Sequence, residues 1–175
     1  IKGAICIGES LRNQDFSPST LSKKITDKWN IKLFSTYAST EMSTAFTECE
    51  HGTGGHHHPE LIIVEVLDND NKPVKNGESG ELTFTALGIE AMPLIRFKTG
   101  DIVQLHDKPC ACGRTTLRVG PVIGRKQQMI KYKGTTLYPP AMNEVLTHFD
   151  NIQSHIIEIS TNDLGTDEIV IKIAV

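Results

Sequence analysis

Residues 31–41 read IKLFSTYASTE, an apolar β-forming run that passes directly into a loop of small, hydroxyl-bearing and acidic residues. A second apolar run, GAICIG, occupies residues 3–8, and its end overlaps the polar stretch GES at residues 8–10. Short apolar runs rich in β-formers are typical of buried strands. Each of these two strands is therefore predicted to end in a polar loop, and the connection between them decides how the loops are arranged.

The connection, SPSTLSKKITDKWN at residues 17–30, predicts a helix. Ser17 is placed to cap its N-terminus, with Pro18 in the first helical position. Apolar residues recur every four positions and give the helix one apolar face: Leu21, Ile25 and Trp29. Strand, helix and strand form a βαβ unit. Because ligands bind beyond the carboxyl ends of strands in open parallel sheets, GES and YASTE (residues 37–41) are predicted to share the functional edge.

Residues 60–106 change character and predict a mostly antiparallel β region. ELIIVEVLD and ELTFTAL are strand-like, and NDNKPVKNGESG, at residues 69–80, joins them as a turn rich in Asn, Gly and Pro. PLIRFKTGDIVQL, at residues 93–105, supplies further extended chain.

A boundary is predicted near GPVIGRKQQ, so that residues 1–123 and 124–175 belong to separate domains. Beyond it, MIKYKG predicts a strand, TTLYP a turn, and residues 139–149 a helix with one apolar face. SHIIEIS and EIVIKIAV close the chain as strands. The fold class is therefore α/β, in the mixed α+β sense: the end of a βαβ unit, an antiparallel β region and part of a small α+β domain.

Composition and charge restrict the function classes. The 175 residues are 38% apolar and 22% charged, with a formal net charge of −3. This charge gives no electrostatic reason to expect nucleic acid or an anionic membrane as a partner, and no apolar run approaches the length that spans a bilayer. We expect a cytoplasmic protein that acts on small molecules. Because both ends fall in strand-like sequence without an initiator Met or signal peptide, we also expect a fragment of a longer protein.

Four segments stand in a fixed order: GES at residues 8–10, YASTE at 37–41, RFKTGD at 96–101 and GRKQQMIKYKG at 124–134. This set resembles the adenylate-forming superfamily of acyl-CoA synthetases, in which YG-x-(S/T)-E, R-(Y/F)-(R/K)-T-G-D and G-R-x-D-D-x segments follow one another. GESGELTFTALGIEAMPLIRFKTGD and the CACGRT that follows are similar to the phenylacetate-CoA ligase family within it. The resemblance covers essentially all of this chain but only the second half of a family member.

The resemblance implies an ATP-dependent reaction in two steps. An aryl-acetic acid such as phenylacetate is activated to an acyl-adenylate, and the acyl group then passes to the thiol of coenzyme A, with release of AMP. The residues implied to bind these molecules are Gly8, Glu9, Ser10, Tyr37, Ala38, Ser39, Thr40, Glu41, Asp101, Arg125 and Gly134. Among them, Thr40 and Glu41 are given a catalytic role.

Elementary chemistry is consistent with the roles given to the YASTE loop. Glu41 offers a carboxylate oxygen to Mg²⁺, a hard cation that prefers oxygen ligands and accompanies the ATP phosphates. Ser39 and Thr40 offer hydroxyl or backbone donors to phosphate oxygens. GES follows a strand and is expected to line the adenine and acyl pocket, although Glu9 taken alone is equally compatible with a surface acid.

The remaining residues of the set have separate tasks. Asp101 is expected to accept hydrogen bonds from two ribose hydroxyls, and the Arg125 guanidinium suits ribose or phosphate oxygens. Tyr37 either flanks the adenine or is a core ring at a strand end, and Arg96 makes either an ion pair or a ligand contact. Gly134 permits close backbone approach to the pantetheine arm of coenzyme A.

The hinge segment departs from the family pattern. Where the family is usually acidic, this chain has Gln127 and Gln128. The hinge residues are expected to absorb the rotation of a small lid domain between adenylation and thioester formation. Gln can absorb this rotation, but a charge that favours one of the two states is missing.

A group of soft ligands predicts a structural zinc site. Thiolates and imidazole together select Zn²⁺, and the spacing is not that of a zinc finger. In the family a Cys often precedes this loop with a His seven positions later, and this gives the candidate set Cys49, His56, Cys110 and Cys112. His51 or His58 is an alternative to His56, and reduced surface thiols near a solvated histidine group are the alternative to a metal.

Two parts of the expected enzyme lie outside these residues, a Gly/Ser/Thr-rich phosphate loop upstream and a catalytic lysine downstream. The chain alone is therefore expected to be inactive. Alternatives are an adenylate-forming enzyme for another aryl acid or a carrier-protein thiol, and a non-catalytic zinc-stabilised module. A homodimer is left open.

Overall fold

The computed structural model describes residues 1–132, 134–162 and 167–175. The chain divides into two compact units, Ile1–Ile123 and Gly124–Val175. No helix in the described part of the chain is long and apolar enough to cross a membrane.

The first unit begins with the predicted βαβ arrangement. Strand β1 (Gly3–Ile7), helix α1 (Thr20–Thr26) and strand β2 (Lys32–Ala38) follow in order, and β1 pairs with β2 in parallel. Strand β2 continues through the first two residues of YASTE, so the polar loop proper starts at Ser39.

The predicted start of α1 is wrong. The N-cap is Ser19, whose side chain accepts a hydrogen bond from the backbone N–H of Ser22. Ser17 instead donates to the Asp15 side chain at 2.6 Å, which holds it in the preceding turn. The side chain that α1 buries is Ser22, whereas Leu21 on the predicted apolar face is 40% exposed. The helix ends at Thr26, so Trp29 lies beyond it, where it is 65% exposed.

The rest of the first unit is the predicted antiparallel region. Its strands are β3 (Ala45–Glu48), β4 (Gly55–His56), β5 (Ile62–Leu67), β6 (Ser79–Ala86), β7 (Phe97–His106) and β8 (Arg118–Val119). The order across the sheet is β1-β2-β3-β4-β8-β7-β6-β5, and each neighbouring pair after β1–β2 is antiparallel. Because β8 pairs with both β4 and β7, sequence-distant loops are brought together at this point.

One hydrophobic core holds these strands together. Its fully buried members come from β3, β5, β6, β7, β8 and the loop after β2: Met42, Phe46, Ile62, Val66, Leu82, Phe84, Val103 and Val119. Burying a large aliphatic or aromatic side chain contributes about 1.5–3 kcal/mol. The core therefore fixes the β-strands on which the candidate site residues of this unit lie.

The second unit contains shorter elements. They are β9 (Gly124–Arg125), a 3₁₀ turn (Lys126–Gln128), β10 (Ile130–Tyr132), β11 (Thr135–Leu137), α2 (Pro139–Leu146), β12 (Ser154–Thr161) and β13 (Asp167–Ala174). TTLYP, predicted as a turn, instead supplies β11, which pairs antiparallel with β10. Helix α2 starts where predicted but ends at Leu146 rather than at residue 149.

Candidate functional site

The loops after β1 and β2 start at the same edge of the sheet. Ile7 lies opposite Thr36 in the parallel pair, so the chain leaves both strands at neighbouring positions. Gly8 turns the chain with φ +94°, a conformation that glycine adopts without a steric penalty. Glu9 and Ser10 follow on the surface, and the Ser10 hydroxyl donates to the carbonyl of Arg12 at 2.9 Å.

Asp101 is a buried carboxylate within β7, exposed to only 9%. The Tyr37 hydroxyl donates to Asp101 Oδ2 at 2.7 Å, a contact between residues 64 positions apart. The Tyr37 ring stacks on Phe46, with ring centroids 6.0 Å apart, and packs against the hydrophobic core. Of the two alternatives for Tyr37, the structure therefore shows the core ring at a strand end. The segments YASTE and RFKTGD therefore meet through the hydrogen bond between Tyr37, near the end of β2, and the buried Asp101.

The YASTE loop is anchored by a side chain that the sequence analysis did not single out. Met42 is 1% exposed and packs in the core, while Thr40 and Glu41 before it are exposed. The pKa of Glu41 lies below its ordinary value, chiefly because its own backbone N–H donates to the carboxylate and more weakly because of the Ser39 hydroxyl. Glu41 is thus an ionised carboxylate at neutral pH, which is the form that a hard cation requires.

Arg96 adopts the ion-pair alternative. Its guanidinium donates to both carboxylate oxygens of Glu65, at 2.9 and 3.1 Å, and this pair raises the pKa of Arg96. Arg125 and Gly134 lie in the second unit, where Arg125 is exposed in β9 and Gly134 turns the chain between β10 and β11 with φ +81°.

The four side chains predicted to bind zinc converge in the first unit. The ligand atoms of Cys49, His56, Cys110 and Cys112 all lie within 4.8 Å of one another. Two edges of the group are the Cys49–Cys110 Sγ–Sγ distance of 3.6 Å and the Cys112 Sγ–His56 Nε2 distance of 3.5 Å. In a tetrahedral zinc site with Zn–S bonds of about 2.3 Å and Zn–N bonds of about 2.0 Å, neighbouring ligand atoms lie about 3.5–3.8 Å apart. The two measured distances agree with these values, so the group fits Zn²⁺.

The other histidines of this region have different partners. His57 Nε2 lies 2.7 Å from the carbonyl oxygen of Ile62, and His58 Nδ1 lies 3.0 Å from a Glu60 carboxylate oxygen. His51 is exposed. Of the histidines considered, the structure places His56 with the three thiols.

The thiols of the group differ in their electrostatics. Burial raises the pKa of Cys49, whereas a hydrogen bond from the backbone N–H of Arg114 contributes most to lowering the pKa of Cys112 to about 7. Burial also lowers the pKa of His56, which keeps its imidazole neutral and able to bind a metal. A cleft of about 430 Å³ beside Cys49 and His56 gives an ion access to the group.

An ion pair ties the GES side of the sheet to the strand that precedes Cys49. Arg12 donates to both carboxylate oxygens of Glu48 at 3.1–3.2 Å, and the Glu48 side chain is 3% exposed. Glu48 also accepts from the backbone N–H of Ser35 at 3.0 Å. Gly52 leaves room for this pair, since a Cβ there would lie 2.8 Å from Arg12 Nη2.

Sequence reasoning missed Arg12, Glu48 and Arg118. Arg118 is buried on β8, where it reaches Thr53 and Lys108 from the two loops that carry the cysteines. A signal was available for Arg118, because a charged residue between Leu117 and Val119 interrupts an apolar run. Nothing comparable distinguishes Arg12 or Glu48 from surface charges in the sequence.

Comparisons with known proteins give a consistent result. No protein-family model matches the chain. Phenylacetate-coenzyme A ligase of Thermus thermophilus is 30% identical to it over 189 residues, covering 97% of this chain and 42% of the relative. Phenylacetate-coenzyme A ligase of Escherichia coli is 30% identical over 133 residues, covering 72% and 29%. The chain thus spans less than half the length of these curated relatives.

A solved structure shares the fold. The crystal structure of a 2-hydroxyisobutyryl-CoA ligase, in the postadenylation state with an acyl-AMP ligand, superposes with a TM-score of 0.78 at 24% identity. The match covers 97% of this chain and 36% of that protein. The mixed α+β arrangement of this chain is therefore also the fold of a region of that ligase.

Proposed function

Because the chain is related in sequence to phenylacetate-CoA ligases along almost its whole length, we propose that it is the nucleotide-binding and hinge region of an acid–CoA ligase. In this proposal residues 1–123 form the last part of the large AMP-binding domain, and residues 124–175 begin the small C-terminal domain. The complete enzyme would activate an aryl-acetic acid, with phenylacetate as the substrate, and transfer the acyl group to coenzyme A.

The observation that carries this proposal is the Tyr37–Asp101 contact. A hydroxyl at the end of β2 donates to a buried acid on β7 at 2.7 Å, which joins the two motifs that the ligase resemblance assigns to nucleotide. This hydrogen bond fixes the orientation of the Asp101 carboxylate. An oriented carboxylate is suited to accept hydrogen bonds from two adjacent ribose hydroxyls, and charge-assisted bonds of this kind are stronger than neutral ones.

The loop between Ala38 and Met42 supplies the groups that would face the phosphates. Glu41 would hold Mg²⁺ through its ionised carboxylate, and Thr40 and Ser39 would donate to phosphate oxygens. When bound, the ion neutralises charge on the phosphates and polarises them. This chain's own contribution is to hold the carboxylate and hydroxyls on a loop anchored by the buried Met42 side chain.

The Cys49, His56, Cys110 and Cys112 group would hold a structural Zn²⁺. Four protein ligands close such a site and leave no position for substrate, so the ion would stabilise the fold and not take part in the reaction. It would join the β3–β4 loop to the loop before β8, which are separated by more than fifty residues in the sequence.

The test concerns Asp101. In the full-length protein, Asp101→Ala should weaken ATP binding by about 1.5–3 kcal/mol, because the ribose hydroxyls lose a charged partner. Isothermal titration calorimetry with ATP measures this change. Asp107→Ala, which removes an exposed acid just beyond the end of the same strand, is the matched control and should bind ATP like the wild type. Equal ATP affinities of the Asp101 variant and the wild type would remove Asp101 from the site.

A further inference from the structure

Arg118 is a buried cation whose hydrogen-bond partners in the described part of the chain are all neutral. Its side chain lies on β8, and the residue is 8% exposed. The guanidinium donates to the carbonyl oxygen of Thr53, to the Thr53 hydroxyl at 2.7 Å and to the carbonyl oxygen of Lys108 at 3.1 Å. Arg118 Nε is buried and finds no hydrogen-bond partner in residues 1–132, 134–162 and 167–175.

Such an arrangement needs a compensating negative charge. Burying a guanidinium costs several kcal/mol unless it is paired, and carbonyl oxygens satisfy its donors without balancing its charge. No carboxylate within the described ranges forms a salt bridge with Arg118. Among the described residues, the balancing charge is therefore to be sought in a group other than a carboxylate.

The neighbouring Cys/His group can supply that charge. Thr53, which Arg118 holds, has its hydroxyl oxygen 3.8 Å from Cys110 Sγ. Arg118 also lies directly opposite His56 in the antiparallel β4–β8 pair, so its charge is next to the group. With neutral thiols the group carries no charge. With a divalent cation bound by three thiolates and one neutral imidazole, one negative charge remains in excess.

We propose that Arg118 is the buried counter-cation of a metal–trithiolate centre formed by Cys49, His56, Cys110 and Cys112. This inference rests on the structural metal site of the proposed function and deepens it. Within the described ranges, the Arg118 guanidinium donates to Thr53 and Lys108 and to none of the thiols. It is a positioning residue that clamps the Thr53 loop and the Lys108 loop, and its charge favours the metal-loaded state over the metal-free state.

Charge and clamping can be separated by two substitutions. Arg118→Lys keeps the positive charge but loses the planar guanidinium that bridges two loops, whereas Arg118→Gln keeps an amide donor and loses the charge. If charge balance matters, metal affinity is retained in Arg118→Lys and lost in Arg118→Gln. If Arg118 acts as a clamp alone, both variants lose affinity to the same extent.

Arg114 provides a matched control. It also donates to the group, from Nη1 to Cys112 Sγ at 3.6 Å, but it is exposed to water. Solvent screening limits the contribution of such exposed charges to about 1 kcal/mol or less. Arg114→Gln should therefore lower metal affinity by less than about fivefold.

The measurement is competition for Zn²⁺ between the protein and a chromophoric chelator, with Co²⁺ absorption as a second readout of the number of bound thiolates. We expect Arg118→Gln to lower Zn²⁺ affinity by roughly 10- to 100-fold, the range typical of residues that support metal ligands. Arg118→Lys should stay closer to the wild type than to Arg118→Gln. Cobalt charge-transfer bands should indicate three thiolates in the wild type.

Each outcome decides the matter. Equal losses in the Lys and Gln variants, or failure of both to fold in the presence of Zn²⁺, would assign Arg118 to clamping alone and overturn the proposal. Failure of the Gln variant alone would support it. A wild-type protein that binds neither ion would refute the metal centre itself, a result distinct from metal binding that is insensitive to the charge at position 118.

Discussion

The two compact units of the chain contain similar apolar strand sequences but bury them to different extents. In the first unit, Phe84 and Leu82 on β6 have no exposed surface. In the second unit, Ile130 is the fully buried apolar residue among those described, and α2 buries none of its side chains. Ile156 on β12 and Ile171 on β13 are exposed to 61% and 44%.

The difference shows that hydrogen-bonded strands alone do not make a core. Strands β12 and β13 pair along their whole length, from Ser154 opposite Ala174 to Thr161 opposite Asp167. A two-stranded hairpin without a covered apolar face is only marginally stable in water. The first unit adds a covered face and the Cys/His group that we propose to bind zinc. We therefore expect the two units to unfold in separate steps, with the second unit unfolding first.

The largest expected effect is that of metal removal. Chelation should lower the free energy of unfolding of the first unit by about 4 kcal/mol, if free Zn²⁺ had been about 1,000-fold above its dissociation constant. All four proposed ligands lie in residues 1–123, so the second unit should not respond. Hydrogen exchange read by mass spectrometry, with and without chelator, resolves the two units.

Cys110→Ser provides the genetic counterpart of chelation. It should reduce zinc occupancy and the stability of the first unit together, since metal binding is coupled to folding. Loss of protection in both units to the same degree would show that they do not unfold separately. A metal-free wild type of unchanged stability would restore the interpretation of the cysteines as plain thiols.

The next effect separates a covered strand from an uncovered one. Phe84→Ala should cost about 3–5 kcal/mol, because it leaves a cavity in a core that cannot fully close around it. Ile171→Ala, the matched truncation on β13, should cost no more than about 1 kcal/mol, because its side chain keeps much of its contact with water in the folded state. Chemical denaturation of both variants measures the difference, and equal losses would contradict the contrast between the units.

The smallest effect on stability is expected at Gln127. This residue lies in the middle of the 3₁₀ turn, whose typical φ is about −50 to −70°, and proline fixes φ at about −65°. Gln127→Pro should therefore change stability by less than about 1 kcal/mol. In the full-length enzyme it should slow thioester formation at least about tenfold more than adenylation, because only the former step follows the proposed lid rotation.

Two assays distinguish the steps of that reaction. Pyrophosphate exchange follows adenylation, and consumption of coenzyme A by preformed acyl-adenylate follows thioester formation. Gln127→Ala, which leaves the backbone unrestricted, is the control. Equal losses in both assays would indicate a general defect, and no loss in either would place the hinge at a different residue.

Much of the fold could be predicted from local patterns. The parallel β1–β2 pair, the antiparallel region and the α2-β12-β13 order of the second unit follow from local periodicity and from turn residues. Strand β11, predicted as a turn, does not. The errors are also local. Ser17 and Ser19 are equally good capping residues by type, and the choice went to Ser19 because the Asp15 side chain holds Ser17 in the preceding turn.

The sequence by itself determined the order of the motifs and the types of ligand that converge at the Cys/His group. Only the tertiary structure decided that His56 rather than His51 or His58 joins the three thiols, that Tyr37 directs its hydroxyl at Asp101, and that Arg118 is buried. The physical reason is range. Periodicity reports which face of an element is apolar, whereas these contacts join residues 56 to 65 positions apart, and only the packing of the sheet brings them within hydrogen-bond distance.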